Sequence, residues 1–366
     1  MLSRRNFLKL ALFTPFLLAK TRDTEKSLYK EALYYFRIQN KKNQVECQLC
    51  PRGCLLGDGD LGFCRARKNI NGRLYALGYG APCAVHVDPI EKKPFFHVIP
   101  QSASLSIASA GCNLRCKFCQ NWQISQVSPM ETVNYELPPR KVVDMAKKMK
   151  CKSIAYTYTE PTNFYEYMLD TARIAKKEGI LNVSHTNGYI NRKPLEELSS
   201  LIDAVNVDLK GFDDAFYAKL CEANLKPVLD TLKILKTKGV WIEITNLVIP
   251  GYNDREETIR EMCIWIKENL GEDVPLHFTR FFPMYLMNSL SPTPVSTLEK
   301  AREIAISVGL SYVYLGNVPG HLGENTYCKR CKRAVLKRSG FNLLENNLKD
   351  GRCKFCGQEI KGIWKA

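Results

Sequence analysis

Between residues 101 and 317 the chain alternates two kinds of apolar pattern. Short runs rich in Val, Ile, Leu and Tyr stand at 104–109, 153–158, 181–185, 204–209, 240–248 and 275–281. Longer stretches at 140–150, 163–177, 227–238, 255–269 and 297–308 repeat their apolar positions every three to four residues. A short continuous apolar run suits a strand covered on both faces, and the longer period suits a helix with one buried face. Strand and helix in regular alternation predict βα units on a parallel sheet, an α/β protein. Six such strands predict a partial (β/α)6 barrel of the TIM type. On either side the pattern lapses: residues 28–100 are loop-rich, and 318–366 form a short cysteine-rich piece. The expected division is a leader at 1–27, an N-terminal cysteine-rich region at 28–100, the barrel core at 101–317, and a C-terminal module at 318–366. No internal repeat is visible.

Composition narrows the class. Of 366 residues, 45% are hydrophobic and 25% charged, which excludes disorder, collagen and coiled coil as the main architecture. No apolar run reaches the roughly 18–20 residues of a membrane span. Fifty-three Lys+Arg against 37 Asp+Glu give +16, compatible with a polyanionic partner. The main body has no tight basic block, so lysines scattered over a solvated surface are the favoured explanation. Nucleic acid is not an expected partner.

Cysteine changes the picture most. Eleven of the 15 cysteines fall in three tight clusters, while Cys83, Cys151, Cys221 and Cys263 stand alone. Cysteines two residues apart present thiolates to a metal rather than to each other, so the chain reads as reduced and metal-rich. The N-terminus pulls the other way. Ser3-Arg4-Arg5-Asn6-Phe7-Leu8-Lys9 matches the twin-arginine export pattern, with a short apolar stretch from Leu10 to Ala19 behind it. No A-x-A cleavage site follows, and a basic amphipathic opening helix accounts for the segment equally well.

The central cluster carries the chemistry. Gly111-Cys112-Asn113-Leu114-Arg115-Cys116-Lys117-Phe118-Cys119 reads C-x3-C-x2-C on the loop leaving the first expected core strand. Three thiolates hold three irons of a [4Fe–4S] cube and leave the fourth open. An open iron can take the amino and carboxylate groups of S-adenosylmethionine (SAM) and pass one electron to its sulfonium, giving a 5′-deoxyadenosyl radical. The bland alternative is a zinc knuckle short of one ligand.

The motif, with Phe118 before its last cysteine, resembles the radical SAM superfamily in its pyruvate formate-lyase activating enzyme-like branch. Within that branch it is most similar to the radical SAM enzymes of the AmmeMemoRadiSam system. Further segments carrying the likeness are Cys47-Gln48-Leu49-Cys50-Pro51-Arg52-Gly53-Cys54, Asp88-Pro89-Ile90-Glu91-Lys92-Lys93-Pro94, the run from Gly111 to Trp122, and Thr159-Glu160-Pro161. The resemblance implies that Cys112, Cys116 and Cys119 hold the cluster. It places Phe118, Glu160, Asp208, Lys210 and His277 at the cofactor. Glu160 matches the acid of the family's Gly-Gly-Glu-Pro element, whose glycines are here Tyr158 and Thr159. A helix cap is the structural alternative for Glu160. Asp208 and Lys210 match an Asp-x-Lys pair at the methionine moiety, with a salt bridge as the structural alternative. Thr186-Asn187-Gly188 matches another element, but His185 replaces an aspartate that helps bind a monovalent cation, so no cation is expected. His277 matches a histidine near the adenosine, and a buried core histidine is the alternative.

Two flanking sets remain. Cys328, Cys331, Cys353 and Cys356 have the spacing of a zinc ribbon, a closed four-thiolate site, with a rubredoxin-like iron as the alternative. Cys47, Cys50, Cys54 and Cys64 suit a zinc loop or an auxiliary iron–sulfur cluster. The expected function is reductive SAM cleavage and hydrogen abstraction from an unknown substrate, with activation of a glycyl-radical protein as the family analogy. Partners are SAM, a low-potential electron donor and that substrate. The alternative is a metal-binding adaptor contacting RNA or protein without SAM turnover. SAM and low-potential electrons are cytoplasmic supplies, so a cytoplasmic location is expected, with twin-arginine export as the alternative.

Overall fold

The structure, a computed structural model, describes residues 29–365. The twin-arginine motif at 3–9 lies outside the described residues. The main sheet has eight strands: β1 Ala84–Pro89, β2 Ala103–Ala108, β3 Ser153–Tyr156, β4 Leu181–Thr186, β5 Ala204–Asp208, β6 Trp241–Val248, β7 Leu276–Arg280 and β8 Val313–Gly316. Their spatial order is their chain order. β2 to β8 run parallel, and β1 lies antiparallel on the β2 edge. Helices α1 Pro139–Lys148, α2 Tyr165–Lys177, α3 Arg192–Ser199, α4 Lys226–Thr237, α5 Glu256–Leu270 and α6 Val295–Val308 supply the crossovers.

The pattern explains the layering. All four residues of β3 are buried, as expected for a parallel strand covered on both faces. α5 buries Ile259, Met262, Cys263, Ile266 and Leu270, a 3.6-residue stripe. Burying each large side chain contributes roughly 1.5–3 kcal/mol. α1 opens on Pro138-Pro139, where the missing amide costs nothing.

The six-strand expectation is corrected to eight. β1 reads Ala-Val-His-Val-Asp-Pro, so its polar residues break the continuous apolar run. β8 has four residues, too short to show a period. α3 was missed as well: it has eight residues and carries Pro194 in its first turn.

The flanking regions dock on this core. The N-terminal region forms two small sheets, Lys30–Glu31 with Arg73–Ala76 and Arg67–Ile70, and Tyr35–Arg37 with Val45–Cys47 and Leu55–Leu56. It is pinned to α2 by Arg67 and Glu166, paired at 2.6 Å with both side chains buried. Breaking such a pair from one side costs about 3–5 kcal/mol. The segment after β1 packs Ile90, Phe95, Val98 and Ile99 against Ala155, Val183 and Ala204. The C-terminal module, with strands Thr326–Tyr327, Ala334–Ser339 and Asn342–Asn346, grips that segment. Arg338 donates to the Phe96 carbonyl at 2.8 Å, and the Ile99 amide donates to the Ile363 carbonyl at 2.6 Å. Among the described residues no helix is long and apolar enough to cross a membrane.

Candidate functional site

The loop leaving β2 carries Cys112, Cys116 and Cys119. At Gly111, φ is 102°, and a Cβ would come within 2.5 Å of the Cys64 carbonyl oxygen, so only glycine fits. Beyond it the loop is sewn to a π turn, Tyr217–Cys221. The Arg115 amide donates to the Cys221 carbonyl at 3.0 Å, and the Lys117 amide to the Leu220 carbonyl at 2.9 Å.

All three thiols sit where ionisation is unfavourable. Burial pushes Cys112 well up, with the nearby Cys116 thiol and Glu160 adding to it. A hydrogen bond with Cys221, then burial, does the same for Cys116. Burial raises Cys119, whose Sγ lies 3.2 Å from Ser125 Oγ. Neighbouring thiols that resist ionisation alone become stable thiolates around a cationic centre. This donor set fits an iron–sulfur cluster.

Glu160 is buried just beyond the carboxyl end of β3, and both of its oxygens accept hydrogen bonds. Oε1 accepts from the Thr162 amide at 3.0 Å, Thr162 Oγ1 at 2.7 Å and Thr186 Oγ1 at 2.7 Å. Oε2 accepts from the Asn187 amide at 2.8 Å. The Asn187 side chain donates to Asn113 Oδ1 at 2.8 Å and lies 3.9 Å from Cys112 Sγ. Glu160 is therefore the cap of the turn Pro161–Phe164 and also a neighbour of the cysteine loop.

Asp208 ends β5, and a tight turn follows, the Leu209 amide donating to the Val207 carbonyl at 3.0 Å. That turn brings Lys210 back: its Nζ donates to Asp208 Oδ2 at 3.0 Å. His185 Nε2 sits 2.9 Å from Oδ1. Burial alone would raise the Asp208 carboxyl, but Lys210 and His185 hold it well below the usual range. Burial would lower Lys210, yet Asp208, Cys116 and Cys221 outweigh it and raise it well above its ordinary value. Lys210 Nζ also stands 5.9 Å from the centre of the Phe118 ring. Cysteine loop, Glu160, Asp208, Lys210 and Phe118 thus gather at the carboxyl ends of β2 to β5, where parallel α/β sheets place their ligands.

His277 is not among them. It is the second residue of β7, 1% exposed, with Nε2 at 2.7 Å from Glu243 and its ring edge-on to Phe96 at 4.9 Å. The core-histidine alternative describes it. Sequence reasoning missed Cys221, whose isolation in the chain gave no signal, and the part played by His185. Asn113 stands inside the motif and carried no separate signal.

The C-terminal thiols form a separate centre. Cys328, Cys331, Cys353 and Cys356 all place Sγ within 4.8 Å of one another. The Cys328–Cys356 and Cys331–Cys353 separations are 3.6 and 3.7 Å. A tetrahedron with metal–sulfur bonds of about 2.3 Å has edges of about 3.8 Å, so this set has single-ion dimensions. In the N-terminal set, burial pushes Cys50, Cys54 and Cys64 upward, Cys64 to about 11, and each is further raised by neighbouring thiols of the same set.

Comparison with known proteins bears on the family of the chain. The radical SAM superfamily pattern matches residues 106–263. The chain is 48% identical to the uncharacterized protein MJ0808 of Methanocaldococcus jannaschii, over 90% of this chain and 98% of that protein. It is 25% identical to pyruvate formate-lyase 1-activating enzyme of Escherichia coli, over 54% of this chain and 87% of the enzyme. A radical SAM methyltransferase from Sphaerobacter thermophilus shares the fold at a TM-score of 0.50 and 13% identity, with 81% of each chain covered. The chain belongs to the radical SAM superfamily and is similar to its pyruvate formate-lyase activating enzymes.

Proposed function

We propose that this protein cleaves SAM reductively at a [4Fe–4S] cluster held by Cys112, Cys116 and Cys119, and uses the resulting radical on a protein substrate. When bound, the cluster supplies one electron to the SAM sulfonium, and the 5′-deoxyadenosyl radical so released takes a hydrogen atom from the substrate. The chain's own residues bind and orient. Glu160, fixed by four donors, accepts from the methionine amino group. Lys210, kept cationic by Asp208, pairs with the methionine carboxylate, and Phe118 packs beside them.

The observation that carries this reading is that the three motif thiols, Cys116 buried and Cys112 and Cys119 half-buried, share one loop with Glu160, Asp208 and Lys210 beside it. A scaffold has no use for that arrangement. The protein-substrate part rests on the likeness to pyruvate formate-lyase 1-activating enzyme and is an analogy of chemistry. The C-terminal four cysteines hold a structural zinc in this reading. The N-terminal four hold a second metal centre, either zinc or iron–sulfur.

The test is anaerobic reconstitution with iron and sulfide, then dithionite and SAM, with 5′-deoxyadenosine quantified. The wild type should form it, and Cys116→Ala should form none. Equal formation by both would sink the assignment.

A further inference from the structure

Tyr158 stands where the resembling family has glycine, and its backbone behaves as a glycine's would. Its φ is 65°, and the Thr159 amide donates across it to the Thr157 carbonyl at 2.8 Å. An i to i+2 bond over a positive φ is a γ-turn of the rare, strained hand. A side chain at this position is disfavoured unless something holds it.

The holding group is the polar cluster on β1 and the turn after it that the site above leaves unused. The Tyr158 hydroxyl donates to Asp88 Oδ2. Asp88 also accepts from Lys92 at 2.8 Å and from Lys93 at 2.6 Å. Lys93 is 1% exposed, and its ammonium lies 4.0 Å over the centre of the Tyr158 ring. His86 meets the same ring edge-on at 5.7 Å. The ring is thus clamped between a carboxylate, a buried ammonium and an imidazole.

The backbone of this turn faces the cysteine loop. The Tyr158 carbonyl accepts from Asn121 Nδ2 at 2.8 Å, two residues beyond Cys119. Thr159 Oγ1 donates to the Ser109 carbonyl at 2.6 Å, just before Gly111. The next residue is Glu160. The turn therefore spaces Glu160 from both ends of the cluster loop.

We propose that Tyr158 is a positioning residue: its tether to Asp88 and Lys93 holds the strained turn that aims Glu160 at SAM. This rests on the SAM-binding reading above. The side chain does here what the absence of a side chain does in the glycine version. Tyr158→Phe removes the hydroxyl bond to Asp88 and keeps the strain, with the ring left over Lys93, whereas Tyr158→Gly removes tether and strain together. Neither leaves a charge unpaired, because Lys92 and Lys93 stay on Asp88.

The test measures SAM affinity of the anaerobically reconstituted full chain by equilibrium binding, with iron content as the control for folding. Tyr158→Phe should weaken SAM binding about tenfold, the size of one strained residue, with iron unchanged. Tyr158→Gly should bind within about threefold of wild type, since glycine adopts this φ freely. Equal or greater loss in Tyr158→Gly overturns the proposal, as does wild-type affinity in Tyr158→Phe. Absence of SAM binding in the wild type itself would overturn the underlying reading and this proposal with it.

Discussion

Asp208 illustrates how much one carboxylate organises. One oxygen holds Lys210 and the other meets His185, so the lysine's position and charge both depend on it. Asp208 first, then Cys116 and Cys221, keep this ammonium charged. Replacing Lys210 by Met keeps the stem and removes the charge. The KM for SAM in 5′-deoxyadenosine formation should rise about tenfold or more, the scale of one lost charge-assisted contact, with iron content unchanged. An unaltered KM would show that Lys210 serves only the ion pair. Cys221 offers a contrast. Its thiol touches Cys116, yet a lone cysteine in the chain carries no spacing by which it can be recognised.

At the scale of elements, the segment after β1 links the core to the C-terminal module through His97. Its Nδ1 lies 2.7 Å from the Lys361 carbonyl and its Nε2 2.6 Å from the Tyr314 hydroxyl. Burial lowers its pKa from 6.5 to about 4. As pH falls, the unfolded chain takes up this proton first, so His97 contributes fully above about 6.5 and its contribution is lost toward 4. The loss amounts to about 3 kcal/mol. Urea unfolding should show a steeper fall in stability across that window in the wild type than in His97→Gln; parallel curves would contradict it. The four C-terminal thiols make a second prediction. Cys353→Ser should lose about one zinc per chain by elemental analysis and keep its iron, and loss of iron without zinc would reverse the metal assignment.

Legibility in the sequence followed the same scale. β3, β5 and β6 are short runs rich in Val, Ile, Ala and Tyr, buried at nearly every position, and are readable. β1 was not, because Asp88 and His86 face a polar cluster and interrupt the run. The three motif cysteines and Glu160 were readable by spacing and resemblance. The bond from His185 to Asp208 crosses from β4 to β5 and had no local trace. His277 was placed by resemblance, and its burial against Glu243 needed the fold to be seen.

Over the whole molecule, one sheet presents a thiol loop at its carboxyl ends, and two cysteine-rich regions pack around it. Many surface lysines are paired with acids, such as Lys147–Glu178 and Lys226–Asp230, and the net +16 is carried by the basic side chains in excess of the acids. Because SAM and low-potential electrons are supplied in the cytoplasm, a C-terminally tagged chain should fractionate there. Recovery mainly in the periplasm, reversed by changing Arg4 and Arg5 to Lys, would contradict that location. The central claim is that Cys112, Cys116 and Cys119 hold a cluster that binds SAM. Electron paramagnetic resonance of the dithionite-reduced protein tests it most directly: the wild-type signal should shift when SAM is added, and each single alanine variant should lack that SAM-responsive signal. A SAM-responsive signal persisting in all three variants would contradict it.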